Sequence, residues 1–175
     1  MKVGTLQTRS PEPARIIFED PRLETDPTNN PAVGEIPVFI SQELLTETLG
    51  TENAGGLLLG RHGISNGVEF LEIQAVSAAA EPGSTGLPFA EEQWGKILRQ
   101  GYAGHPDLLG LGWWVARNGA PTLDLGEKAF HQALFPLSWQ IALLADPGSQ
   151  TARSYHWKQG RLEECGFFIV HPRRN

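Results

Sequence analysis

From residue 36 onward, short apolar runs alternate with segments of helical period, and this alternation predicts the elements. Ile36-Pro37-Val38-Phe39-Ile40 reads as a first strand. Ser41 then caps a short helix that places Leu44, Leu45 and Leu49 on one face and ends at Gly50. Gly56–Gly60 and Val68–Ile73 are two strands joined at Asn66-Gly67, a dipeptide whose backbone freedom suits a tight hairpin turn. After a Gly/Pro/Ser loop from Glu81 to Pro88, Ala90, Trp94, Ile97, Leu98 and Gly101 recur at helical spacing. Leu111-Gly112-Trp113-Trp114 is the next strand.

A third helix carries two competing faces. Leu125, Ala129, Ala133 and Leu134 form an apolar stripe, whereas Asp124, Glu127 and His131 form a polar one. The simplest expectation is that the polar face is solvated, with its acids near the helix N-terminus, where the dipole favours them. Trp139–Ala145 is a near-continuous apolar strand that ends in Asp146-Pro147-Gly148. Ser154–Lys158 and Leu162–Val170 read as two more strands turned at Gln159-Gly160, and His171-Pro172 as a frayed end. The order β, α, β, β, α, β, α, β, β, β implies an α/β domain, a mixed central sheet flanked by helices.

Residues 1–34 have a different texture. Pro11, Pro13, Pro21, Pro27 and Pro31 break regular structure, so this part is expected to be a flexible arm outside the core. Within it, Ala14-Arg15-Ile16-Ile17-Phe18 is β-prone; it either packs locally or adds a strand to a partner's sheet edge. Residues 35–172 form the one expected domain and residues 173–175 a tail.

Composition narrows the function classes. A net charge of −6 opposes a broad nucleic-acid footprint, and the one basic cluster is Arg173-Arg174. No apolar run approaches the roughly 20 residues of a membrane helix, and the first residues lack a signal-peptide core, so a cytoplasmic location without membrane contact is expected. Cys165 is the single cysteine, which excludes an intrachain disulfide and any CxxC zinc site. Gly55, Gly56 and Gly60 do not build a phosphate loop, since no GK[ST] follows, and no GxSxG nucleophile signature occurs.

Four stretches together resemble the MPN domain of the JAMM metalloprotease-like superfamily, a cytidine-deaminase-like fold. They are Phe39-Ile40-Ser41, Ala54-Gly55-Gly56-Leu57-Leu58-Leu59-Gly60, Leu111-Gly112-Trp113-Trp114 and Ala142-Leu143-Leu144-Ala145-Asp146-Pro147. The resemblance spans about residues 36 to 170. It implies, for active members, a base Glu before the G-x-L-x-G strand, then H-x-H-P after the G-W-Y-like strand, then S-x-x-D at the next helix. Two His and the Asp would hold zinc and leave a fourth position for water; the Glu would take that water's proton.

Matched residue by residue, this chain departs from that pattern at each of those positions. Asn53 stands at the base position, with Glu52 adjacent. Val115 and Arg117 stand at the two His positions and Asn118 at the Pro, while Asp124 replaces the Ser and Glu127 the ligand Asp. Valine has no lone pair, and a guanidinium is effectively always charged, so the donor set for zinc is broken. The resemblance therefore implies a catalytically inactive domain without cofactor. Such a domain would act as a scaffold for a protein partner, another MPN-type domain or a second copy of itself.

Two alternatives stay open on the sequence. One is a metal-dependent isopeptidase or peptidase with a displaced zinc site built from Asp124, Glu127 and His131, with His105-Pro106-Asp107 nearby. The other is a module that binds a peptide or ubiquitin-like tail. For the altered site, one specific expectation is that Arg117 takes the place of the cation and pairs with Asp124 and Glu127. Candidate contact residues are Arg117, Trp113, Trp114, Ile16, Ile17 and Phe18; core packing is the leading reading for both tryptophans.

Overall fold

The computed structural model describes residues 23–26, 36–65, 67–79, 91–119 and 122–172. Ile16, Ile17 and Phe18, the loop at 81–90 and the tail at 173–175 lie outside them. The described elements, in chain order, are β1 (Leu23–Asp26), β2 (Val38–Ser41), α1 (Gln42–Gly50), β3 (Ala54–Ser65), β4 (Val68–Ala79), α2 (Glu91–Gly104), β5 (Leu109–Ala116), α3 (Leu125–Leu134), β6 (Ile141–Asp146), β7 (Thr151–Lys158), β8 (Arg161–Cys165) and β9 (Phe168–Pro172). The fold is α/β, with one mixed sheet in the order β1-β9-β2-β4-β3-β5-β6-β7-β8. No helix among the described residues is long and apolar enough to cross a membrane.

The sheet must curl. Between β8 and β9 lie only Gly166 and Phe167, yet the two strands are seven steps apart in the sheet. Seven steps in a flat sheet would span roughly 34 Å, whereas three Cα steps reach about 11 Å. The β8 edge therefore folds back toward β9, and the sheet wraps around α1. Leu45 and Leu49 of α1 pack inside the curl against Val38, Ile40, Leu58, Leu71, Trp114, Leu143 and Ile169. Trp94 and Ile97 of α2 and Phe130 of α3 cover the outer face, over Leu57, Leu59, Trp113, Val115 and Leu144.

Side chains alternate along a strand, so Trp113 and Trp114 enter different cores. Both are fully buried, Trp113 outside the curl and Trp114 inside it. Neither is available for the partner contact considered for it, because each is already consumed by packing.

The glycines of the Ala54–Gly60 stretch answer to close approach. A Cβ on Gly56 would lie 1.6 Å from the Ser77 carbonyl oxygen on β4, and one on Gly112 would lie 1.8 Å from that of Ile141 on β6. At these points neighbouring backbones occupy the space of a side chain.

Four sequence expectations are corrected. The 1–34 segment contributes a strand to the sheet, since Leu23–Asp26 pairs antiparallel with β9. His171 and Pro172 are not frayed; they pair with Glu24 and Leu23. The apolar run 162–170 is two strands, because Gly166-Phe167 carries the chain from one side of the sheet to the other. Trp139 and Gln140 precede β6 instead of opening it, and the Leu137 carbonyl accepts from the Gln140 N–H at 2.9 Å in a turn.

Helix α3 also reverses an expectation. Leu125 is 84% exposed, Ala129 and Ala133 are exposed, and Leu134 is half exposed. Glu127, Phe130 and His131 face the sheet and are buried. Aromatic packing accounts for part of this: the Phe130 ring meets Trp94 and Trp113 edge-on at 5.4 and 5.6 Å. Such pairs hold a helix face down even when polar residues share it.

Candidate functional site

The altered positions converge at one end of the sheet. Parallel pairing of β5 with β6 sets their C-terminal ends side by side, with Ala116 against Ala145. The ladder continues for one more bond, from the Arg117 N–H to the Ala145 carbonyl at 3.0 Å. The antiparallel pairing of Ala54 with Ala116 brings Asn53, at the start of β3, to the same end. Helix α3 begins there too, so Asn53, Arg117, Glu127 and the Asp146 turn belong to one cluster of segment ends.

Val115 and Arg117 are two residues apart and point to the same face, outward toward α3. Val115 is wholly buried in the outer core. Arg117 reaches past it to Glu127. Its Nη1 and Nη2 donate to the two carboxylate oxygens of Glu127, the Nη2 to Oε2 distance being 3.0 Å. Nη2 also donates to the Thr122 carbonyl at 3.0 Å. The Glu127 side chain is 2% exposed and that of Arg117 is 34% exposed. The Glu127 hydrogen bonds raise the guanidinium above its ordinary pKa, against the opposing effect of burial.

Asp124 does not share this pairing, contrary to the expectation that both acids would meet Arg117. It is the N-cap of α3: its side chain accepts from the Glu127 N–H at 2.7 Å, and Glu127 Oε2 accepts from the Asp124 N–H at 3.0 Å. This reciprocal capping box satisfies two otherwise open helix donors. Glu127 thus serves the cap and the ion pair with one carboxylate. The Asp-x-x-Glu spacing was a readable sign of the cap.

His131 lies one turn further along and is 0% exposed, so the solvated histidine expected there is overturned. Its Nδ1 accepts from the Trp113 indole Nε1–H at 3.0 Å. An indole nitrogen can only donate, so Nδ1 is unprotonated and the ring's proton sits on Nε2. Among the described residues, Nε2 makes no hydrogen bond of normal geometry. The ring is enclosed by Trp113, Phe135 and Trp157. Burial pushes its pKa down to about 4, with His156 adding to the shift and the Gln140 backbone opposing it. His156, buried on β7, is likewise pushed down to about 4 by burial. The sequence carried no signal for His156, whose burial depends on β7 lying inside the sheet.

These positions do not assemble a displaced metal site. Asp124 is exposed at the cap, Glu127 is engaged by Arg117, and His131 faces aromatic rings. His105 and Asp107 are exposed where the chain enters β5, at the opposite end of that strand from Arg117. Among the described residues, no group of three or more His, Cys, Asp or Glu side chains is placed to hold a metal ion.

Asn53 is exposed and has φ of 52°, in the left-handed region. Asparagine tolerates that conformation better than other side-chain-bearing residues. Its place is thus a turn requirement. Asn53→Glu is expected to lower stability by about 1 kcal/mol, and Asn53→Gly to be neutral or slightly stabilising. Urea midpoints of the two variants check this; equal losses in both would contradict it.

The loop after Arg117 is tied to the turn after β6. Asn118 Oδ1 and Asp146 Oδ1 both accept from the Gly148 N–H, at 2.9 and 3.0 Å, and Asp146 Oδ1 also accepts from the Ser149 N–H at 3.2 Å.

Comparison with protein families and with curated proteins finds no match. Among solved structures, the chain is similar to protein DSY2949 from Desulfitobacterium hafniense, determined in solution. The identity is 15%, the TM-score is 0.51, and the match covers 73% of this chain and 88% of that one. This is a likeness of fold.

Proposed function

We propose that the chain is a degenerate MPN-like domain without hydrolase activity that works through protein contacts. The observation that carries this reading is the Arg117–Glu127 pair. At the positions where the resemblance would put two His and an acid, the acid is engaged by a guanidinium and one His position is a core valine. Zinc does not fit that donor set: Val115 offers no donor, and Arg117 brings a positive charge to the carboxylate a metal would need. Without zinc, Asn53 has no metal-bound water to deprotonate, and its amide is no base.

A role in contacts is supported by the outward stripe of α3, where Leu125, Ala129 and Ala133 leave apolar surface open. A second copy or another MPN-type domain is the partner class that this reading favours. Metal analysis of protein purified from zinc-replete cells, run beside an isopeptide-cleavage assay and cross-linking in the native extract, tests the proposal. Far less than one zinc per chain, no cleavage and a cross-linked protein partner are expected. Stoichiometric zinc that disappears in Glu127→Ala or His131→Ala would overturn it.

A further inference from the structure

The outer face of the sheet carries a further apolar cluster to which neither outer helix contributes. Phe39 of β2, Phe168 and Val170 of β9 and Phe70 of β4 lie on three neighbouring strands. They point outward, because Val38, Ile40, Leu71 and Ile169 take the alternate positions inside the curl. The Phe39 ring stacks on Phe168 at 5.1 Å and meets Phe70 edge-on at 6.5 Å. Glu72, opposite Phe39 in the pairing of β2 with β4, shares this face, and its Oε2 accepts from Gln74 Nε2 at 2.8 Å. All five side chains are buried, from Phe39 at 1% to Val170 at 7% exposure. Side chains standing on one sheet face cannot bury one another's outer ends. Yet α2 and α3 pack on the other half of that face, over Leu57, Leu59, Trp113, Val115 and Leu144, and α1 lies inside the curl. The cover therefore comes from outside the described residues.

The chain leaves few sources for it. Asn66 and the pair at 120–121 are too short to span three strands, and 173–175 is Arg-Arg-Asn. Residues 27–35 join β1 to β2 and bring only Ala32 and Val33 besides prolines and polar residues. Residues 80–90 leave β4 seven residues past Glu72, about 23 Å along the strand, and lead to α2 over the other half of the face. Residues 1–22 enter the sheet at Leu23, opposite Pro172 of β9. Val170 and Phe168 lie about 7 and 13 Å back along β9. Phe18, five residues before Leu23, reaches about 17 Å, and Pro21 between them suits a turn back over the face. Ile16, Ile17 and Phe18 supply the apolar side chains, and Arg15 directly before them brings a cation to a face whose buried polar group is an acid.

We propose that residues 14–18 are a built-in cover, docked on the outer face of β9, β2 and β4 with Ile16, Ile17 and Phe18 over Phe39, Phe70 and Phe168 and Arg15 toward Glu72. Of the two roles that the sequence leaves open for this segment, packing within the chain or adding a strand to a partner, this is the first. Left open, three phenylalanines would form an apolar patch of the kind that marks an association surface. The segment closes that patch within one chain.

A spin label on the full chain tests this. Cys165 is buried, so a nitroxide on Ala14→Cys attaches there alone. In isotope-labelled protein, the amide signals of Phe39, Phe70 and Phe168 are expected to broaden while those of β6 and β7 stay sharp. Adding Ile17→Asp with Phe18→Asp should restore most of the lost intensity and raise the fluorescence of a dye for exposed apolar surface severalfold. Sharp Phe39 and Phe70 signals in the labelled chain would overturn the proposal. So would broadening that arises only between spin-labelled and isotope-labelled copies in a mixed sample, which assigns the cover to a second copy, or unchanged dye fluorescence in the double variant, which assigns it to another segment.

Discussion

Arg117→Ala is expected to lower the unfolding free energy by about 3 kcal/mol, near the bottom of the range for breaking a buried ion pair. The reason is asymmetric burial. Glu127 is 2% exposed and loses both guanidinium donors, keeping only the Asp124 N–H, whereas Arg117 is 34% exposed and lets water reach part of the gap. Arg117→Lys keeps the charge but not the fork, so about half the loss should remain. A double-mutant cycle with Glu127→Gln separates the pair from the cap, because the amide can still accept from the Asp124 N–H. Urea unfolding monitored by tryptophan fluorescence reads all three. An unchanged midpoint in Arg117→Ala would show that the pair contributes nothing and would remove the main support for the inactive-site reading.

The second large effect is acid destabilisation through the two buried histidines. Burial holds both folded pKa values at about 4, below the ordinary imidazole value of 6.5. A depressed histidine pKa means that the unfolded chain binds the proton first. Its contribution is therefore fully present above about pH 6.5 and is lost as pH falls toward 4. Relative to pH 8, each histidine should cost about 2 kcal/mol by pH 5, at about 1.4 kcal/mol per unit of differential protonation. His131→Gln and His156→Gln should each flatten the stability profile over that window, leaving the carboxylate-driven loss at lower pH in place. Parallel wild-type and variant profiles between about pH 7 and 5 would mean that the rings are not the groups that titrate.

Much of the architecture was legible because its causes are local. Ser41 caps α1, accepting from the Leu44 N–H at 3.2 Å. β3 and β4 pair as the expected hairpin, with Ser65 against Val68. The face that α3 buries was not legible: its outcome depends on Arg117 neutralising Glu127 from another element and on Trp113 satisfying His131. Neither partner is visible in the helix's own period. The break at Gly166-Phe167 was equally hidden, since an apolar run looks the same whether it stays in one place or crosses a curled sheet. At the site, the substituted positions could be counted from the sequence. The division of labour between Asp124 and Glu127 needed the cap geometry, and the Asn118–Asp146–Gly148 turn needed two loops brought together.

The placement of β9 also fixes an order of assembly. Its residues 168–172 lie between β1 and β2, pairing Leu23 with Pro172 and Phe39 with Phe168. On the ribosome, β2 is made more than a hundred residues before the strand that shields its outer edge. Until that strand emerges, β2 keeps an unpaired row of backbone donors and acceptors, and β1 has nothing to pair with. Contacts of such long sequence separation form slowly. The nascent chain therefore spends most of its synthesis with an open template for foreign strands, the condition in which a chaperone or a waiting partner protects it best.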